Sequence, residues 1–229
     1  MYAKWPRQIG PAEVCLLQPP GRENRLREPH YLTYDSFVDE LVPVLLPYLD
    51  RPFAFFGHCG GATPAFATAK RLAEQGLPIP SNLFVSSQVA PDAGPYSRFL
   101  HMTDAELASE LAKLSRAMGG EPTPALIEMG LKILRADLDA YQRYPPVAPV
   151  LLPCHITVLR WSDDGEIPAG LQDGWRHYTA AERIRFATLQ GGHFSFLTGP
   201  RTLLAELSLD MNLALDRDRD RDRDRDRGT

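Results

Sequence analysis

Gly57-His58-Cys59-Gly60-Gly61 sets a thiol between glycines, directly after the apolar run Phe53 to Phe56 and before the small-residue segment Thr63 to Gln75. A glycine-x-nucleophile-x-glycine pattern in that context suits a sharp strand-to-helix turn that lifts the central side chain above a sheet. The glycines at 57 and 61 are expected to remove Cβ atoms where strand and helix crowd together. At such a helix N-terminus the dipole favours a thiolate, and the amide of Gly60 is placed to donate to an oxyanion. The chemistry supported is nucleophilic attack on an acyl carbonyl. His58 is adjacent, but neighbouring side chains on such a turn diverge, so it is read as a packing or loop-orienting residue.

A base must come from elsewhere. Gly191-Gly192-His193-Phe194 follows the late apolar segment Arg185 to Leu189, and a histidine in a glycine-opened loop after the last strand suits that role. The acid is expected after the preceding strand, His155 to Leu159, where Asp163, Asp164 and Glu166 compete. Asp164 is favoured, with Asp163 next, because Gly165 lets the loop turn behind it. The order nucleophile, acid, histidine is that of α/β-hydrolases.

The elements that must position these residues alternate. Glu13 to Gln18 reads as a buried strand closed by Pro19-Pro20-Gly21, and Tyr34 to Leu49 as an amphipathic helix kinked or ended early by Pro43 and Pro47. Phe53 to Phe56, the helix 63–75 and the strand Leu83 to Ser86 then give the strand-helix-strand rhythm of a mostly parallel sheet with helices on both faces. Residues 90–145 read as a helical lid insertion: Thr103 to Met118 with a Thr103/Glu106 capping box, Pro124 to Lys132, and Ile133 to Tyr144. The sheet resumes at 155–159 and 185–189, with a helix around Gly170 to Tyr178 between them and a final helix near Thr202 to Leu215. One domain over 1–215 is expected, followed by a solvated, disordered Asp-Arg tail over 216–229.

Composition narrows the function classes. A formal charge of −4 over 229 residues leaves no basic footprint for nucleic acid. Cys15, Cys59 and Cys154 form neither a disulfide framework nor a zinc spacing, which fits a reducing cytoplasm. No signal peptide, membrane span, metal motif or nucleotide-binding glycine loop is present in the sequence.

The phrases LLQPPGRENRLREP, RPFAFFGHCGG, LFVSSQVAPD, LRADLDAYQRY, HITVLRWSDDGEIP and GGHFSF resemble the type II (stand-alone) thioesterases of polyketide and nonribosomal peptide biosynthesis. In that family the elbow usually reads GHSMG, so the resemblance puts Cys59 on the nucleophile, Asp164 on the acid and His193 on the base. It implies an α/β-hydrolase fold, no bound cofactor, and release of acyl groups from the phosphopantetheine arm of an acyl or peptidyl carrier protein. Arg22, Arg25 and Arg27 are read as loop-stabilising charges ahead of carrier contacts.

Two departures set further expectations. An acyl group on Cys59 remains a thioester, so transfer to an amine or alcohol is an alternative to hydrolysis; an inactive carrier-binding scaffold is a third reading. Family members also open with a strand and loop that supply a second oxyanion amide, whereas MYAKW resembles the helix after that loop. The strand is therefore expected to be missing beside the nucleophile strand, leaving an open sheet edge. An upstream start, weak catalysis or a gap-filling partner are the readings of that absence. Loss of one of two oxyanion donors costs about 3–4 kcal/mol.

Overall fold

The computed structural model describes residues 2–213. Four parallel strands form the central sheet in the order β3-β4-β5-β6: β3 (Ala54–His58), β4 (Asn82–Ser86), β5 (His155–Trp161) and β6 (Ile184–Leu189). Their apolar composition reflects burial on both faces. Leu83, Val85, Ile156 and Val158 turn to one face, against Phe66, Trp175 and Tyr178. Phe84, Leu159, Ala187 and Leu189 turn to the other, against Leu203 and Leu207 of α6 (residues 201–213). The period of two along each strand thus builds two cores, the arrangement of a parallel sheet covered by helices on both faces.

Helix α1 (Tyr34–Leu45) starts at a Thr33/Ser36 capping box and stops early, passing into a 3-10 turn over Leu46–Tyr48 as its prolines led one to expect. It buries Val38, Val42 and Leu45 beside Ala67 and Leu72 of α2 (Ala62–Glu74). Between β4 and β5 lie α3 (Asp104–Ala117), capped by Thr103 and Glu106, and α4 (Pro124–Arg143). A short helix, α5 (Ala169–Gln172), and a 3-10 turn over Asp173–His177 precede β6. No helix of the described residues is long and apolar enough to cross a membrane.

Several expectations need correction. Helix α4 is continuous where two helices were expected, because nothing between Lys132 and Ile133 breaks it and Gly130 is accommodated against Leu111. Strand β5 runs on to Trp161, since Arg160 and Trp161 pair with Thr188 and Leu189. The segment 13–18 is not a buried strand. Only β2 (Ala12–Glu13) pairs, antiparallel to β1 (Gln8–Ile9), and Leu16 and Leu17 beyond it are 58% and 50% exposed. A lone apolar run becomes a strand only where another strand edge accepts its hydrogen bonds; here that edge is the short β1 segment, reached by Glu13 and by the Val14 N–H, 2.9 Å from Arg7 O. Residues 2–5 form a turn, not the helix that MYAKW resembles. Strand β3 lies at one edge of the sheet among the described residues. Leu215, where the last helix was expected to end, and the Asp-Arg segment 216–229 lie outside the described residues.

Candidate active site

Cys59 stands at the carboxyl end of β3, where strand gives way to a 3-10 turn over Cys59–Gly61 and then to α2. Its φ of 49° lies in the left-handed region, an uncommon conformation for a residue with a side chain and the one a nucleophile turn imposes. Gly57 makes that turn buildable, because a Cβ there would lie 2.5 Å from Ala62 Cα. Gly61 does not act in the same way. A Cβ on Gly61 or Gly60 meets nothing within 4 Å, so these two glycines relieve no crowded contact.

The loops after β5 and β6 are tied to each other by backbone. Ser162 N–H donates to Leu189 O at 2.8 Å and Asp163 N–H to Gly191 O at 3.0 Å. Gly191 has φ 124° and would strike Ser195 if it carried a Cβ, so the glycine-opened loop is a steric requirement. These ties bring His193 and Asp164 together: Nδ1 lies 3.1 Å from each carboxylate oxygen. Asp163 is exposed and points elsewhere, and Glu166 pairs with Arg98 at 2.6 Å. Asp164 also accepts the backbone N–H groups of Glu166 and Ile167, at 2.8 and 3.4 Å. The acid is therefore oriented before the imidazole reaches it.

The pair is almost dry, with side-chain exposures of 7% for His193 and 2% for Asp164. Burial alone would push the Asp164 pKa up. The His193 imidazole, the Ser87 hydroxyl and the Glu166 amide outweigh it and pull the carboxyl down to about 2. Burial likewise opposes a charged His193, but hydrogen bonds to Asp164 and Cys59, with the negative charge of both groups, push it up to about 10. His193 thus holds its proton at neutral pH, between carboxylate and sulfur. Ser87 stands beside this pair with φ 48°, buried and without a hydrogen bond of good geometry.

His58 is buried and stacks on Phe196 at 3.7 Å between ring centroids, with the His193 ring 4.7 Å away. Its Nδ1 lies 2.9 Å from Ser86 Oγ, which also accepts Trp161 Nε1–H at 3.1 Å. Burial and the neighbouring His193 hold its pKa well below the ordinary imidazole value. It supports the floor under His193 as a packing residue.

The front of the chain closes the other side. Trp5 donates from Nε1 to Phe196 O at 2.8 Å, and the rings of Tyr2, Trp5 and Phe56 pack edge to face and tilted. Burial, with a smaller push from Cys59, raises the Tyr2 phenol to about 12. Above the site, Arg22 grips Asp137 of α4 with two bonds of 3.0 and 2.7 Å, and His30 and Tyr31 share that carboxylate. Arg25 pairs with Glu28, while Arg27 is exposed. The stabilising reading of Arg22 and Arg25 therefore has named partners. Between α4 and the elbow lies a void of only about 10 Å³, bordered by Thr63, Pro91, Tyr141, Tyr144 and Trp175. That is room for one water.

Gln88, absent from the sequence-based candidates, donates to the Cys59 carbonyl at 3.0 Å. The available signal was a polar side chain just beyond the carboxyl end of an apolar strand, where ligands of open α/β sheets bind.

The thioesterase domain family matches residues 1–208. Linear gramicidin dehydrogenase LgrE of Brevibacillus parabrevis is 35% identical over 214 residues, covering 90% of this chain and 80% of that protein. Its name speaks of dehydrogenation, yet no G-x-G-x-x-G loop occurs in the present sequence. The human medium-chain S-acyl fatty acid synthase thioesterase is 33% identical over 206 residues, covering 86% of this chain and 76% of its own. Among solved structures, the type II thioesterase BorB from the borrelidin biosynthetic cluster superimposes with a TM-score of 0.73 at 29% identity, over 85% of this chain and 79% of that one.

Proposed function

Since the chain belongs to the thioesterase domain family, we propose that it cleaves acyl thioesters through Cys59, His193 and Asp164. The observation that carries this reading is the dehydrated His193–Asp164 pair, with Nδ1 3.1 Å from each carboxylate oxygen, next to a cysteine held at a left-handed turn. Its substrate is an acyl or peptidyl group on the phosphopantetheine thiol of a carrier protein, in polyketide or nonribosomal peptide biosynthesis. The likeness to BorB supports that assignment. Nucleophile, base, acid and one oxyanion donor, the Gly60 amide, all come from this chain, and the chemistry proposed calls for no cofactor.

The Cys59 sulfur, its proton held by His193, attacks the acyl carbonyl carbon. The oxyanion accepts a hydrogen bond from the Gly60 amide. As the bond to the carrier sulfur breaks, His193 gives its proton to the leaving thiolate; with Cys59 acylated, the sulfur charge that helped hold that proton is gone, which frees it for transfer. Neutral His193 then takes a proton from water attacking the acyl-Cys59 thioester, and the free acid and the Cys59 thiol are released. Asp164 fixes the imidazole tautomer and steadies its charge throughout.

A second reading rests on the thiol itself. The acyl-enzyme is as activated as the substrate, and amines attack thioesters more readily than water does, so Cys59 also suits transfer of the acyl group to an amine or alcohol. Turnover of an acyl-phosphopantetheinyl carrier protein, with products resolved by mass spectrometry in the presence and absence of an amine, separates the readings. Free acid in both mixtures is the outcome expected of the thioesterase. Amide in excess establishes acyl transfer, and an intact carrier thioester in both leaves only a binding role.

A further inference from the structure

The Cys59 carbonyl accepts two hydrogen bonds. One comes from the Ala62 N–H, which closes the turn ahead of α2. The other comes from Nε2 of Gln88, at 3.0 Å. Gln88 is 2% exposed. Its Oε1 accepts the Val89 N–H at 2.9 Å and the Tyr141 hydroxyl at 3.3 Å, and its own carbonyl accepts Trp175 Nε1–H at 2.9 Å. These partners fix which end of the amide is which: turned over, its NH2 would face the Val89 N–H, donor against donor, and could not donate to Cys59. Tyr141 belongs to α4, and its hydroxyl accepts the Tyr96 N–H at 3.0 Å. A continuous hydrogen-bonded path therefore runs from the 91–97 loop and α4 to the nucleophile's carbonyl.

The carbonyl of Cys59 and the N–H of Gly60 belong to one planar trans peptide and point in opposite directions across it. Whatever fixes the first aims the second. Gly60 and Gly61 have no Cβ atoms and open space where these would be, so little side-chain packing holds that plane. Resting on the reading that Cys59 is acylated, we propose that Gln88 is the positioning residue for the oxyanion-binding Gly60 N–H, and that Tyr141 ties its setting to helix α4. The oxyanion donor is then well aimed only when α4 is seated over the elbow. A substrate whose entry displaces α4 must let it reseat before the tetrahedral intermediate is stabilised.

Two reactions of the same thiol test this. Alkylation by iodoacetamide displaces iodide and forms no oxyanion, whereas acylation by p-nitrophenyl acetate passes through one. Both rates at Cys59 are compared in the full chain carrying Cys15→Ser, which removes the exposed thiol. Gln88→Met is expected to slow acylation about ten-fold or more while alkylation stays within about two-fold, and Tyr141→Phe to do the same more weakly, by about three-fold. His193→Ala, which removes the base, slows both. Equal loss of the two rates in the Gln88 and Tyr141 variants, or loss of neither, overturns the proposal. Tyr141→Phe, which deletes one hydroxyl, carries the test if Gln88→Met does not fold. The carrier-thioester reading fails separately, by absence of turnover in the unsubstituted protein, and leaves this ratio readable.

Discussion

The two halves of the site are held by different means. Asp164 and His193 are placed by backbone: the β5 and β6 loops bond to each other through Ser162, Asp163, Leu189 and Gly191, and the carboxylate is fixed by two amides of its own loop. Cys59 sits at the end of a strand that is at the sheet's edge among the described residues, and beyond the Ala62 N–H that closes its turn the contacts from outside come from side chains: Gln88 on its carbonyl and the Tyr2–Trp5–Phe56–Phe196 cluster beside its strand. Backbone ties survive most substitutions, whereas side-chain ties do not. The acid–base half should therefore be robust in position and sensitive in charge, and the nucleophile half the reverse.

Asp164→Asn gives the largest effect that sharpens this contrast. It keeps the loop but removes the charge that holds the His193 proton, and turnover should fall roughly a thousand-fold. Steady-state kinetics check it, and a loss below ten-fold would mean that Asp164 is not the working acid. Next comes Trp5→Ala, which deletes a ring and the bond to Phe196 O and should cost about 2–4 kcal/mol in denaturant unfolding. Hydrogen exchange should then quicken in 54–61 ahead of 155–164; equal quickening in both segments breaks the comparison.

The smallest effect is the pH dependence of stability. His193 is raised, so its stabilising contribution is whole below its ordinary value of 6.5 and is lost as pH rises toward about 10. Asp164 is lowered, so its contribution is whole above 3.8 and is lost as pH falls toward about 2. Melting temperature should be flat between 3.8 and 6.5 as far as this pair is concerned and decline on both sides. Asp164→Asn should flatten both limbs, and unchanged limbs would place their origin elsewhere.

Much of the site was legible in the sequence because its residues sit at strand ends, where apolar runs stop and glycines begin. The Thr103 cap of α3 was legible for a related reason, since its partner Glu106 is three residues away. What was hidden depended on partners distant in the chain. Asp164 was favoured from the sequence, but the extension of β5 through Arg160 and Trp161 was not, because pairing with β6 decides it. Glu13 to Gln18 has the composition of a strand, but composition cannot supply a neighbour. Gln88 meets the elbow with one end of its amide and Tyr141, 53 residues on, with the other.

Acylation of Cys59 is the claim on which the account stands, and trapping it is the most direct measurement. The protein and its Cys59→Ala variant are incubated with a short acyl-N-acetylcysteamine thioester, quenched in acid, and followed by intact mass and peptide mapping. The account predicts a single acyl increment on the peptide containing Cys59, decaying with release of product and absent from the variant. An increment that persists in Cys59→Ala, or turnover undiminished by that substitution, would contradict it.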